Sequence, residues 1–394
     1  MESADTTMSP AATMAEGSTI RLAFRDFSML IALLAIWAFF FWMSPAFLSP
    51  RNLSNLAVEL SITAVLALGM LLIILPGEID LSIGSGVGLF GGVAAVLIFN
   101  QNWPAWQAMG LAMVLAVLVW VGMGALIVKQ NVPSFIITLA GLLVFRGLQW
   151  LVISNSTIPV QVGDRANLCS MLTTWFVPPV VGYGLVGLVL AIVVAGTGTS
   201  RRRRRKYGCA VEPAEAAFLK IFLAGQVLLL FVLVCNEYRG LPLSAVILGV
   251  TAAIVWLITQ HTPFGRYLYA IGGNEEAAFI SGIPVDRVVI AAFGIMGLLV
   301  ALGGFMQTAY AGASTPTIGE LQELDAIAAC VIGGTSLKGG RGTVVGVLFG
   351  ALIMASLLNG MTLLGVTPEL KYIARGGVLA LAVWMDVRLN RQGR

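Results

Sequence analysis

Residues 56–99 read LAVELSITAVLALGMLLIILPGEIDLSIGSGVGLFGGVAAVLIF, and this stretch decides the fold. Two apolar runs, 56–76 and 81–99, flank a break built on Pro76 and Gly77 and carrying Glu78 and Asp80. A membrane-crossing helix needs about 20 mainly apolar residues, and the first run has them. The second run is glycine-rich and adjoins the Pro-Gly break, which reads as a half-helix or a re-entrant piece. A carboxylate left alone in hydrocarbon costs roughly 3 kcal/mol or more, so Glu78 belongs near an interface or against other helices. Asp80, followed by Leu81 and Ser82, is placed to cap the next helix. Two readings stay open here. One is a tight loop with a capping aspartate and a solvent-facing glutamate; the other is a helix break beside a solute path.

The rest of the chain repeats the theme. Hydrophobic residues make up 58% of the 394 and charged residues 11%, with a mean hydropathy of +0.92; soluble domains carry roughly 25% charged residues. Further runs lie at 28–48, 106–128, 133–154, 173–197, 215–235, 241–260, 287–309, 326–336, 343–364 and 372–387. The fold class predicted is all-α: a polytopic transmembrane helical bundle of about 10–12 membrane segments, some broken or re-entrant. The run at 326–336 is too short to cross as a regular helix. Residues 1–27 read as a disordered cytoplasmic tail, 28–387 as the membrane domain and 388–394 as a second cytoplasmic tail. No small-residue cleavage pattern follows the first run, which therefore reads as a retained helix.

Charge placement sets the expected topology. With the N-terminus in the cytoplasm, 17 Lys and Arg fall on that side, among them the RRRRRK run at 201–206. Only 5 (Arg51, Arg165, Arg239, Lys371 and Arg375) fall on the other side, and Arg146 lies within a span. This is a positive-inside bias, so both termini are expected in the cytoplasm. The net charge of +4 and the basic run are then topology anchors, not a nucleic-acid surface. Cysteines 169, 209, 235 and 330 form no CxxC and the one histidine is His261, which argues against disulfides and a metal site. No stretch outside the spans is long enough for a soluble enzyme domain, and no GxxxxGK[ST] loop is present. The chain is not expected to be an enzyme, and any ATP hydrolysis it uses must come from another polypeptide.

Four further features carry information. Gly84, Gly88 and Gly92 lie four apart, as do Gly342, Gly346 and Gly350, giving helix faces that other backbones can approach closely. They read first as packing faces, although a sliding or rocking interface needs the same surface. Residues 261–287 read HTPFGRYLYAIGGNEEAAFISGIPVDR. Gly272 and Gly273 break the preceding structure, Asn274 caps a short helix, and Glu275 and Glu276 suit its positive end. Gly282 and Pro284 close it. Docking into a cleft on a partner and resting on lipid both fit this segment. Ser314–Gly342 gathers Glu320, Glu323 and Asp325 ahead of a short small-residue run, with Lys338 and Arg341 in a Gly-rich turn. Asn131–Gly141 starts a helix at Pro133, and the Arg146 beyond it should face protein or water, not lipid.

Four of these motifs, LPGEIDLSIGS (75–85), VPSFIITLAG (132–141), FGRYLYAIGGNEEAAFISGI (264–283) and ELDAIAACVIGGTSLKGGRGTVVGVLFGALIM (323–354), carry a resemblance that covers about residues 50–387. Together they resemble the permease subunits of bacterial ATP-binding-cassette (ABC) importers for monosaccharides, the ribose, galactose and xylose group. RRRRRKYG and YRGLPL place the chain nearest the xylose branch. The resemblance implies a multi-pass subunit of the bacterial inner membrane working as a homodimer. Its expected partners are a cytoplasmic ATPase, which holds the ATP and Mg, and an extracytoplasmic sugar-binding protein; the chain itself binds no cofactor. The cargo implied is D-xylose or a related pentose. The loop 261–287 then acts as a coupling element through Gly273, Asn274, Glu275, Glu276, Ala277, Phe279 and Gly282. Candidates for the translocation path are Glu78, Asp80, Ser82, Arg146, Asp325 and Asn359. The rival readings are an ion-coupled secondary transporter, whose carboxylates would carry the ions, and a non-transporting membrane scaffold.

Overall fold

A computed structural model describes residues 29–161, 166–211 and 213–391. The tail 1–27 and Arg165 therefore lie outside the described residues. The helices in chain order are α1 (Met29–Met43), α2 (Pro50–Ile74), α3 (Ile83–Phe99), α4 (Ala105–Gln130), α5 (Ser134–Val152), α6 (Leu168–Thr174), α7 (Pro179–Lys206) and α8 (Ala214–Asn236). They continue with α9 (Leu243–His261), α10 (Pro263–Gly273), α11 (Glu275–Ile280), α12 (Val285–Ala311), α13 (Gln322–Ile332), α14 (Val344–Leu363) and α15 (Pro368–Arg391). A 3-10 turn, Pro45–Leu48, joins α1 to α2. Extended structure among the described residues amounts to two antiparallel two-residue pairs: Ile158–Pro159 with Ala313–Ser314, and Phe176–Val177 with Leu241–Pro242.

Eight of the described helices are long and apolar enough to cross a membrane, and α1 and α3 are shorter apolar helices beside them. The protein is thus an all-α, multi-pass membrane bundle. Its core is α2, 83% of whose most apolar window is buried, wrapped by α12 and α14 at 67% each. Helices α7 and α8 bury only 11% and leave rows of Val, Leu and Phe outward, as lipid-facing helices do. Lipid is as apolar as leucine, so close backbone contact holds such a bundle together more than apolar burial does. Gly346 and Gly350 of α14 accordingly lie against the carbonyls of Gly333 and Ala329 at the end of α13. Gly91 of α3 and Gly304 of α12 meet in the same way.

Several local expectations need correction. The RRRRRK run, beyond the apolar run that ends at 197, is the last part of α7, because arginine and lysine are good helix formers that suit a helix C-terminus. Helix α15 runs on through Arg388 to Arg391, so the predicted tail from 388 begins as helix. Gly272 and Gly273 do not break α10; they are its last two residues, with Asn274 immediately after. The short run expected at 326–336 is the 11-residue α13, which starts earlier, at Gln322.

Candidate functional site

The four motifs meet at one end of the bundle. α2 stops at Ile74 with Leu75 as its C-cap, and the chain turns through Gly77, whose φ of +98° favours glycine. The amides of Gly77 and Glu78 reach back to the carbonyls of Ile74 and Ile73. Leu75 hands its own carbonyl to Gly340 N–H at 2.9 Å, from the Gly-rich turn that precedes α14. The same carbonyl touches Gly272 so closely that a Cβ there would overlap both it and Gly340 N. Tyr269 of α10 adds a hydrogen bond from its hydroxyl to Gly342 O at 2.8 Å. Helix α10, the α2–α3 break and the 338–342 turn are therefore in direct contact.

Asp80 is the anchor of the break. It is wholly buried, and its carboxylate accepts from Trp120 Nε1 of α4 at 2.6 Å, Ser82 N at 2.8 Å and Ser82 Oγ at 2.6 Å. It is not the expected N-cap: Ser82 holds that position and makes no side-chain cap bond, while Asp80 folds back on Ser82 as an Asx turn. The start of α5 clamps the other side. Ser134 Oγ accepts from Ile79 N–H at 3.1 Å and Thr138 Oγ1 donates to Ile79 O at 3.2 Å. Glu78 is half-buried. Burial pushes its carboxyl above the ordinary value, the Ser134 hydroxyl opposes this, and the nearby Glu275 carboxylate adds to it.

Glu275 opens α11, six residues long and closed at both ends. Asn274 Oδ1 accepts from Ala277 N–H at 2.9 Å. At the far end Ile283 N–H reaches Ala278 O and Gly282 N–H reaches Phe279 O, with Gly282 at φ +82°, which makes a Schellman motif. Ala278 faces inward, whereas Phe279 and Ile280 are 71% and 77% exposed. Glu275, Glu276, Phe279, Val285 and Asp286 surround a shallow hollow beside the helix. The result is a rigid knob with an apolar tip and an acidic collar, tied to the core through Gly272 and Leu75. Gly273 is open on its Cβ side.

The six path candidates are not brought together. Glu78, Asp80 and Ser82 share the α2–α3 break. Arg146 Nη2 pairs with Glu320 Oε2 at 3.5 Å, and Arg375 Nη2 of α15 pairs with Asp325 Oδ2 at 3.2 Å. Glu323, buried against Gly84, lies within electrostatic reach of Arg146, Asp325 and Arg375, so these groups form a second cluster around the start of α13. Asn359 belongs to a third. It accepts from Asn52 Nδ2 at 2.9 Å and donates to Glu59 Oε2 at 3.2 Å, while Tyr310 donates to Glu59 Oε1 at 2.7 Å. Glu59 and Trp120 escaped the sequence reading. Glu59 carried a signal, being an acid within an apolar run; Trp120 carried none, because one aromatic in a span looks like any other.

Fold and polar architecture define the class: a polytopic helical membrane protein with broken helices in its core and a structured knob at one end. The chain belongs to the family described as branched-chain amino acid transport system / permease component, which matches residues 52–383. As a permease component it moves a solute and does not transform one. The xylose transport system permease protein XylH of Escherichia coli strain K12 is 41% identical over 367 residues, spanning 93% of this chain and 92% of the relative. XylH of Haemophilus influenzae is 40% identical over 359 residues, 91% of this chain and 95% of the relative. The ribose import permease protein RbsC of Escherichia coli strain K12 is 34% identical over 357 residues, 91% and 92%. No solved structure matches the chain.

Proposed function

We propose that this chain is the membrane-spanning subunit of an ATP-driven importer that carries a monosaccharide, D-xylose or a related pentose, into a bacterial cell. Its partners are a cytoplasmic ABC ATPase that holds ATP and Mg, an extracytoplasmic sugar-binding protein and a second copy of the chain. It sits in the inner membrane with both termini in the cytoplasm, following the positive-inside count. One observation carries the reading: α11 presents Phe279 and Ile280 to the outside while its base is locked to the α2–α3 break through Gly272, Leu75 and Gly340. A connecting loop needs neither feature. A knob that receives a push and passes it to the core needs both.

In this reading Gly273, Asn274, Glu275, Glu276, Ala277, Phe279 and Gly282 form the contact with the ATPase. Asn274 and Gly282 close the helix, and the two glutamates with Phe279 meet the partner. Closure of the ATPase moves α10 against Leu75, and the break at 75–82 passes the motion to α3, α4 and α5. Glu78, Asp80 and Ser82 act in this transmission more than on the sugar. Arg146 and Asp325 hold α13 to its neighbours, and Asn359 ties α14 to α2. The test is reconstitution of the chain with ATPase and binding protein in liposomes. Xylose-loaded binding protein is expected to stimulate hydrolysis and drive uptake; uptake that ignores ATP and follows an ion gradient would overturn the reading in favour of a secondary transporter.

A further inference from the structure

Helix α3 bares one face. Gly84, Gly88, Gly91 and Gly92 fall at i, i+4, i+7 and i+8, a strip about 12 Å long. Opposite it, beside the backbone carbonyls of Gly319 and Gly304 and the Ile153 side chain, lie four polar side chains from four different elements. A Cβ at Gly84 would overlap Glu323 Oε2, one at Gly88 would overlap Gln149, one at Gly91 would overlap Thr308 Oγ1, and one at Gly92 would lie 3.3 Å from Ser314 Oγ. Gln149, Thr308 and Ser314 are 0%, 1% and 0% exposed. Among the described residues, Gln149 Oε1, Thr308 Oγ1 and Ser314 Oγ find no hydrogen-bond partner. Gln149 is nevertheless held in place, because its Nε2 donates to Thr315 O at 2.9 Å.

Packing alone does not account for this. A glycine seam needs only small or apolar neighbours, and Cα–H groups are weak partners for a buried oxygen. Orphaned polar atoms are uncommon in buried positions, and each calls for a physical explanation such as a bound water, ion or ligand. Here three lie along the bare backbone between Gly88 and Gly92, where a neighbour can draw away from α3 without meeting a side chain of α3.

We infer that the glycine face of α3 and the facing side chains Gln149, Thr308, Ser314 and Glu323 are the closed form of a path that takes a neutral polyhydroxylated solute. Two hydroxyls, an amide oxygen and a carboxylate form a mixed set of donors and acceptors. A sugar hydroxyl both donates and accepts, so it complements every member; a branched aliphatic side chain would complement none. The inference rests on the importer reading and adds to it the surface along which the sugar moves.

The test uses the chain assembled with its ATPase and binding protein in liposomes, with labelled D-xylose as probe. Thr308→Val and Ser314→Ala together remove two orphaned hydroxyls and almost no volume. The thermal midpoint and ATPase association are expected to hold or improve, while uptake at sub-saturating sugar falls about 10-fold. A well-folded double variant with wild-type uptake overturns the inference. Where the double variant fails to accumulate, Ser314→Ala alone carries the same expectation. Thr173→Val with Ser244→Ala removes two orphaned buried hydroxyls away from α3 and is expected to leave uptake unchanged; an equal loss there also overturns the inference. Failure of the wild-type chain to carry xylose with all partners present refutes the importer reading instead.

Discussion

Replacing Asp80 by alanine removes one acceptor group on which three donors depend: the Trp120 indole, the Ser82 amide and the Ser82 hydroxyl, all at 2.6–2.8 Å and all buried. In water-soluble cores an orphaned donor costs about 1–3 kcal/mol. Interhelical polar contacts in membranes average about 0.6 kcal/mol with a maximum near 1.7, because the reference state finds other partners. The Asp80 site is fully buried and the indole bond is short, 2.6 Å, which places it near the top of that membrane range. Summed over three donors, Asp80→Ala is expected to cost about 3–4 kcal/mol. Asp80→Asn separates the terms. It keeps an oxygen for Ser82 but turns either an amide N–H toward the indole N–H or an oxygen away from Ser82, at about 1–2 kcal/mol. Trp120→Phe in the Asn background should then cost less than in the wild type, because the bond it removes is already lost. The assay is the thermal midpoint of the purified protein in detergent, measured as a double-mutant cycle. Equal stability of wild type and Asp80→Ala, or strict additivity of Asp80→Asn with Trp120→Phe, would refute the idea that this carboxylate locks the break.

Other perturbations reach the remaining parts. Alanine at Glu275, Glu276 and Phe279 together should weaken ATPase association roughly 30-fold, equivalent to about 2 kcal/mol of interface contact, with unchanged folding; pull-down and sugar-stimulated hydrolysis report it. Gly346→Ile drives side-chain atoms into the Gly333 carbonyl, backbone that cannot move aside, and should cost about 3 kcal/mol or more, read as lost expression and a lowered midpoint. Arg375→Met leaves Asp325 buried without its partner and should cost about 3–5 kcal/mol, while adding Asp325→Leu should restore much of it. For Glu78 the sign runs against the usual carboxylate. Its folded value is raised above 4.5, so the native state binds the proton more tightly and stability falls as pH rises through the folded value. Glu78→Gln should raise the midpoint at neutral pH and lose that advantage as pH drops toward 4.5; a constant offset across the range would contradict the burial of its charge.

Much of the molecule is legible locally. Long apolar runs separated by Pro, Gly and charge announce helices, because in lipid a backbone must satisfy its own hydrogen bonds. The cap and the Schellman end of α11 follow from Asn274 and Gly282, whose conformational preferences act within a few residues. The ends of α7 and α15 were missed because lysine and arginine continue a helix into water as readily as they start a loop. The polar sites were harder. Asp80 looked like a cap because its chain neighbours allow one, yet its longest-range partner is Trp120, forty residues away. Glycines spaced by four read as packing faces from either helix, and nothing in that spacing shows that α3, unlike α14 at Gly346 and Gly350, meets buried orphaned side-chain oxygens as well as backbone carbonyls.

By itself the sequence determined the class, the rough limits of the long apolar helices, and the short capped helix between α10 and α12, because each depends on hydropathy, propensity or capping within one segment. Only the tertiary structure decided which helices form the core. α2 and α7 are both apolar and long, yet α2 is 83% buried and α7 only 11%. Lipid and protein interior are equally welcoming to leucine, so hydropathy cannot distinguish them. What distinguishes them is which small residues let backbones touch and which buried polar groups find partners, and both are properties of pairs of segments distant in the chain.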